Sequence, residues 1–260
     1  MTGRISDLSK ARILVTNDDG VNAAGIGVLL EIAQGLSDDV WIVAPEVEQS
    51  GAGHSLTLRR PLRMIKRAER RYSVDGTPTD SVLMAIGHLL RDHRPELVLS
   101  GVNRGGNLGE DLTYSGTVAA AMEGVLMGVP SIALSLLFKN GGRPDWDTPR
   151  TYAPEIIRRL ADVGWPDGVL INVNFPSGDP KAVKGTQVVG LGRRKIGDHL
   201  VERRDPRGVP YYWIGPMRDE APNQPDTDLA AVMNGYTAIT PVHLDLTDRP
   251  TVGTLKTVFD

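Results

Sequence analysis

The stretch Ile13-Leu14-Val15-Thr16-Asn17-Asp18-Asp19-Gly20 constrains this chain more than any other. An apolar run that stops at a turn signal reads as a strand buried on both faces, hence a central strand of a parallel sheet. Asp18 and Asp19 then stand at the carboxyl end of that strand, where open α/β sheets place their ligands. Two adjacent carboxylates repel each other, and a hard cation that takes oxygen ligands relieves the repulsion. Asp-Gly is also an ordinary turn pair. Taken alone, the motif leaves both readings open.

A chain of 260 residues stands near the upper limit of a single core, which predicts one large α/β domain with an appendage. The formal net charge is −3 and no long basic run is present, which argues against extended nucleic-acid binding. A small phosphoester needs only one local anion site and stays in play. The absence of cysteine excludes disulfides, thiolate metal sites and cysteine nucleophiles. The polar start, residues 1–11, reads as a short extension without the apolar core of a signal peptide. No apolar run is long enough to span a bilayer, so a cytoplasmic protein with no membrane partner is expected.

Strand and helix patterns alternate through residues 12–176, the predicted catalytic core. Ile26, Leu29, Leu30 and Ala33 share one face of a helix over 26–36, and 40–44 reads as the next strand. Residues 61–66 and 71–74 predict a hairpin at the sheet's edge. Thr77 before Pro78, with Asp80 in the first turn, predicts a capped helix reaching about residue 90. Further strands are expected over 96–100, 130–136 and 169–175, with helices over 119–127 and 148–163 and a polar loop through Gly141 and Gly142.

Two connections carry unusual chemistry. The loop 46–57 offers Ser50, Ser55 and Thr57 hydroxyls, the His54 imidazole and small residues that let a ligand approach the backbone. The loop after the third strand holds Gly101, Asn103, Gly105, Gly106, Asn107 and Gly109 and ends at Ser115-Gly116-Thr117. Serine, glycine and threonine at a helix start form a natural anion site, because free N–H groups and the helix dipole both favour phosphate. It matches neither a P-loop nor a dinucleotide fingerprint.

Beyond residue 176 the texture becomes β-rich. Strands are predicted over 186–191 and 235–240, with a short helix over 226–232. Residues 198–214 read as a long hairpin turning at Asp205-Pro206-Arg207-Gly208, with Tyr211, Tyr212 and Trp213 on its second arm. Such an aromatic arm suits a partner subunit better than a core. Residues 177–260 are therefore expected to be an oligomerisation extension that completes the same domain. The fold class that follows is a Rossmann-like three-layer α/β fold with a parallel-rich sheet and a C-terminal β-hairpin extension.

Asn17-Asp18-Asp19-Gly20, Ser50-Gly51, Gly76-Thr77-Pro78-Thr79-Asp80, Gly101-Val102-Asn103 and Tyr114-Ser115-Gly116-Thr117-Val118, in this order, closely resemble the stationary-phase survival protein SurE family. The similarity extends through Asp205-Pro206-Arg207-Gly208 and Ile239-Thr240-Pro241, nearly the whole chain after Ala11. Ser81 and Ala24 depart from the family's frequent cysteine and proline. The resemblance implies a metal-dependent 5′-nucleotidase acting on nucleoside monophosphates. It implies that Asp18, Asp19, Ser50 and Asn103 ligate one divalent cation. It also implies that Asn107, Ser115, Gly116 and Thr117 hold the phosphate. Carboxylates, a hydroxyl and an amide carbonyl are hard donors, suited to Mg²⁺ or Mn²⁺ rather than zinc. Asp18 or Asp19 is then expected to orient or deprotonate the attacking water, with His54 protonating the leaving alkoxide. Two rival readings share the site: a broader phosphatase acting on 3′-nucleotides or short polyphosphate, and a nucleotide-binding regulator without turnover. A homo-oligomer, dimer or tetramer, built through the 198–213 hairpin is the expected assembly.

Overall fold

β1 (Ile13–Thr16) is buried at every residue because it has a core on each side. Ile13 and Val15 pack into one apolar cluster, with Ile26, Leu29 and Ile32 of α1 (Ala24–Gln34) and Ile156 and Ile157 of α4 (Asp147–Val163). Leu14, between them in sequence, packs into another, with Val82 of α2 (Pro78–Met84) and Ala120 of α3 (Gly116–Leu126). The two-residue alternation of a strand thus builds three layers, helix on sheet on helix. Each of the buried Ile, Leu and Val side chains among them contributes on the order of 2 kcal/mol.

The computed structural model describes residues 4–138, 144–194, 200–214 and 224–259. β1 pairs in parallel with β2 (Val40–Pro45) on one side and with β5 (Leu97–Arg104) on the other. Beyond β2 lie β4 (Arg71–Val74) and the edge strand β3 (Met64–Ala68), joined as the expected hairpin. Beyond β5 come β6 (Ser131–Leu136) and β7 (Val169–Phe175), both parallel. The same nine-stranded sheet continues into the C-terminal extension with β11 (Thr237–His243), antiparallel to β7, and β8 (Thr186–Val188) at the far edge.

β9 (Leu200–Arg204) and β10 (Pro210–Ile214) form a separate two-stranded ribbon. Its turn is the expected one: the Asp205 carboxylate accepts from the N–H groups of Arg207 and Val209, and Gly208 takes a φ of +82°. Tyr211, Tyr212 and Trp213 are 43%, 60% and 63% exposed. α5 (Asp228–Met233) follows, and the chain ends in α6 (Arg249–Phe259), which buries no residue.

Several boundaries differ from expectation. β5 runs past Ser100 to Arg104, so Gly101, Val102 and Asn103 belong to the strand and not to its exit loop. The register with β6 shifts between Ser100 and Asn103. Gly101 is required there: its φ is +132°, and a Cβ would lie 2.2 Å from the Leu134 carbonyl oxygen. The helix expected to reach residue 90 is α-helical only to Met84 and finishes as a wider π-type turn over 85–89. The last sheet strand lies a few residues later than expected, at Thr237–His243, and the 186–191 strand stops at Val188. α6 was not anticipated at all. Its threonines, valines and glycine are weak helix formers, and Pro250 fits only the first turn. The expected loop through Gly141 and Gly142, and the first residues of the hairpin at 198–199, lie outside the described residues.

Candidate metal and phosphate site

The chain leaves β1 toward β2 on one side and returns through β5 on the other, so the strand order reverses at β1. The carboxyl ends of β1 and β5 border the crevice that this reversal opens, the standard place for a ligand in such sheets. Asp18 and Asp19 follow β1, and Asn103 lies at the end of β5. The amide of Asn17 donates to the Gly20 carbonyl oxygen at 3.0 Å and closes the turn that carries the two acids. Turn and ligand readings are therefore not rivals, because the turn presents the acids.

Neighbouring loops are tied to this turn by their backbones. The Gln49 N–H donates to the Asp18 carbonyl oxygen at 2.8 Å, which holds the Ser50 loop beside the acids. Gly53 N–H reaches the Tyr114 carbonyl oxygen at 3.1 Å and joins that loop to the start of α3. The far end of the loop is anchored on the cap of α2. Thr57 N–H donates to Asp80 at 3.0 Å; Thr77 is the expected cap, and Asp80 answers it by accepting from the Thr77 N–H.

Asp18 is 4% exposed, and its carboxylate accepts the Thr117 hydroxyl from the first turn of α3. Burial pushes its pKa up, against the lowering effect of the Thr117 bond. Asp19 is half-buried, and Arg104 N–H lies 3.4 Å from its Oδ2. Burial first, and the Asp18 charge second, push the Asp19 pKa up to about 6. The Glu48 carboxylate adds to both shifts, so a third negative group faces the pair. Such a concentration of desolvated negative charge is relieved by a cation.

The donor chemistry fits a hard divalent ion. Among the described residues no group of three or more His, Cys, Asp or Glu side chains is placed to hold a metal ion by itself. The candidate set instead combines the two carboxylates with neutral oxygens. Asn103 donates its Nδ2 to the Gly105 carbonyl oxygen at 3.0 Å, which leaves Oδ1 as its free ligand atom. The exposed Ser50 hydroxyl donates to Glu48 at 2.9 Å, which leaves its oxygen lone pairs available. Asp19 and Ser50 line one cleft of about 420 Å³.

α3 presents its N-terminus to the same place. Ser115 caps it, accepting from the Val118 N–H at 3.1 Å, and Ala119 N–H reaches the Ser115 carbonyl oxygen. The N–H groups of Gly116 and Thr117 precede the first intrahelical bonds. Gly116 has a packing requirement of its own. A Cβ there would stand 2.7 Å from Asp18 Cβ and 3.1 Å from Pro78 Cγ. Asn107 is buried in an amide network. Its Nδ2 donates to Ser135 Oγ at 2.8 Å, and Asn174 clasps its backbone with two bonds of 2.9 Å. Asn172 adds a second donor to the Asn107 carbonyl oxygen.

His54 meets a carboxylate of α3. Its Nε2 lies 3.0 Å from Glu123 Oε2, and Glu123 is about 9 Å along the α3 axis from Thr117 at 1.5 Å per residue. His54 lines a larger cleft of about 700 Å³ with Thr113, Met122, Leu126 and Val242. None of the four candidate oxygen donors lines that cleft.

The family model for survival protein SurE matches residues 13–198, which include every site residue named above. The chain belongs to the SurE family. It is 55% identical over 255 residues to a protein named 5′-nucleotidase SurE from Paramagnetospirillum magneticum, covering 98% of each chain. A protein of the same name from Rhodospirillum rubrum is 53% identical and matches the full length of both. The crystal structure of the SurE protein from Aquifex aeolicus superposes with a TM-score of 0.84 at 39% identity, covering 96% of this chain and 100% of that one.

Within this SurE fold, sequence reasoning did not single out Glu48, Arg104, Asn172 and Asn174. Glu48 had a local signal, an acid two residues before Ser50 in a loop already suspected. The asparagines of Leu170-Ile-Asn-Val-Asn-Phe175 had one too, as amides on alternate positions of an otherwise apolar strand. Their partner Asn107 lies more than sixty residues away, and only the fold brings the two together.

Proposed function

We propose that this chain is a divalent-metal-dependent phosphomonoesterase that hydrolyses nucleoside 5′-monophosphates to nucleoside and phosphate. One observation carries the reading: a desolvated pair of adjacent carboxylates is joined through Asp18 and Thr117 to the N-terminus of α3. That arrangement serves a bound cation and a phosphate side by side. A Mg²⁺ or Mn²⁺ ion, when bound, neutralises phosphoryl oxygens and makes a coordinated water more acidic. Asp18, Asp19, Ser50 and Asn103 would hold it.

The remaining work falls to the chain itself. The N–H groups of Gly116 and Thr117 and the α3 dipole stabilise charge on the phosphoryl oxygens. Asp19, the more exposed acid, orients the attacking water. Asn107 contacts the phosphate by exchanging its Ser135 partner for a phosphoryl oxygen. Protonation of the leaving alkoxide would fall to His54 through Nδ1, its Nε2 being held by Glu123.

A broader phosphatase would use the same groups. The regulator reading is weaker, since phosphate capture alone gains nothing from two nearby negative charges. The test is phosphate release from nucleoside 5′-monophosphates, nucleoside 3′-monophosphates and short polyphosphate with Mg²⁺ or Mn²⁺. Turnover greatest on the 5′-monophosphates supports the proposal, equal turnover across the panel favours the broader phosphatase, and binding without turnover favours the regulator.

The assembly proposed is a homo-oligomer, dimer or tetramer, formed through the β9–β10 ribbon. A two-stranded ribbon is marginal by itself in water, and its exposed Tyr211, Tyr212 and Trp213 are residues that interfaces favour. α6 leaves Val252, Leu255 and Phe259 exposed as well. No described helix is long and apolar enough to cross a membrane, and the proposed setting is the cytoplasm. Light scattering at micromolar concentration should give at least twice the monomer mass; a monomer refutes the assembly.

A further inference from the structure

The cleft that holds Asp19 and Ser50 continues onto a wall of two aromatic rings, Trp146 and Phe138. Neither ring has a part in phosphoryl chemistry, which needs charge and hard donors. Trp146 is half-buried against the α1 and α4 core, and its ring lies 3.3 Å from where a Cβ of Gly25 would stand. Packing therefore fixes the ring in the wall of the cleft. Phe138 is covered by the Arg104 guanidinium, 5.2 Å from its ring centre. The backbone of Arg104 meets the Asp19 carboxylate. One residue thus connects the acid pair to the aromatic wall.

Two aromatic rings beside the acid pair suit the π-face of a base, and stacking of this kind tolerates any base. The volume of about 420 Å³ is within the range of small-molecule sites. The larger cleft beside His54 holds none of the four oxygen donors. Resting on the nucleotidase reading above, we infer that Trp146 and the Arg104–Phe138 stack form the nucleobase subsite of the Asp19 cleft. The phosphate lies on the Asp19 and Ser50 side of the cleft and the base lies against the rings. Recognition is by ring area more than by base edge.

The test compares AMP with ribose 5-phosphate, which carries the same sugar and phosphate without a base, on the full-length protein with Mn²⁺. The parent should have a lower KM for AMP. Trp146→Leu and Phe138→Leu should each raise the KM for AMP about tenfold, in line with the loss of one stacking contact. The KM for ribose 5-phosphate and both kcat values should stay within about twofold, and Trp146→Phe should recover most of the AMP affinity. Because Trp146 also packs on the core, Phe138→Leu decides the matter if Trp146→Leu fails to fold. An unchanged KM for AMP in Phe138→Leu overturns the subsite, as does an equal rise for ribose 5-phosphate. A parent that hydrolyses neither compound overturns the nucleotidase reading itself, and the subsite with it.

Discussion

Thr117 gives its hydroxyl proton to the Asp18 carboxylate inside a buried contact that joins the first turn of α3 to the end of β1. The candidate metal donor and the candidate phosphate end are thereby one rigid unit, the kind of support a precise site needs. A Thr117 that met phosphate through its backbone alone would tolerate loss of its hydroxyl. The bond to Asp18 removes that tolerance. Thr117→Ala should cost about 1.5–3 kcal/mol, the range for hydrogen bonds to charged groups, and lower kcat/KM at least tenfold. Thr117→Ser should keep most of both. Parental kcat/KM in Thr117→Ala would mean that the tie has no part in activity.

Asp19 sets a pH dependence whose sign can be worked out. Its folded pKa is raised from 3.8 to about 6, so the native state holds the proton more tightly than the unfolded chain does. In metal-free protein this group favours the fold most at low pH, and its contribution is lost as pH rises through about 6. Metal binding needs the deprotonated form, so apparent Mn²⁺ affinity should fall below pH 6, by up to about tenfold per pH unit. Asp19→Asn should raise the metal-free Tm at pH 8 and abolish the extra stabilisation by Mn²⁺. Thermal melts with chelator and with Mn²⁺, at pH 5 and pH 8, check both; a pH-independent affinity would refute the assignment.

Gly116 should be intolerant for a reason that lies in the protein itself. A Cβ 2.7 Å from Asp18 Cβ forces α3 and the β1 turn apart. Overpacking of this kind costs about 1–3 kcal/mol. Gly116→Ala is expected to weaken Mn²⁺ binding as well as to raise KM, whereas a purely phosphate-side clash would spare the metal. Calorimetric titration of Mn²⁺ in the absence of substrate separates the two.

Asn174→Ala removes both bonds that clasp the Asn107 backbone. Asn172 still reaches the Asn107 carbonyl oxygen, so the N–H is the group left buried without a partner. The cost is about 1–3 kcal/mol, read in a denaturant midpoint, with a KM rise from the loosened loop. Asn174→Asp keeps the acceptor and should fall between the two; equal loss in both variants would show that the donor half matters as much.

What the sequence made legible was local. Apolar runs stopping at turns placed β1, β2, β6 and β7, and the order of small motifs placed the acids and the α3 cap on one side of the sheet. The length of β5 was not legible, because Gly101 reads as a loop residue until the Leu134 carbonyl is seen against it. His54 looked like a member of the site from its loop alone, and only the long-range contact with Glu123 shows which cleft it faces. α6 hid for the opposite reason: with no buried face in the described chain, nothing but weak propensity marks it.

The central claim is that Asp18 and Asp19 serve a divalent cation on which hydrolysis depends. Phosphate release from AMP, measured after exhaustive chelation and again after Mn²⁺ or Mg²⁺ is restored, tests it most directly. The expected result is loss of turnover on chelation and recovery on adding back the ion, with neither seen in Asp19→Asn. Full activity in the chelated protein would contradict it.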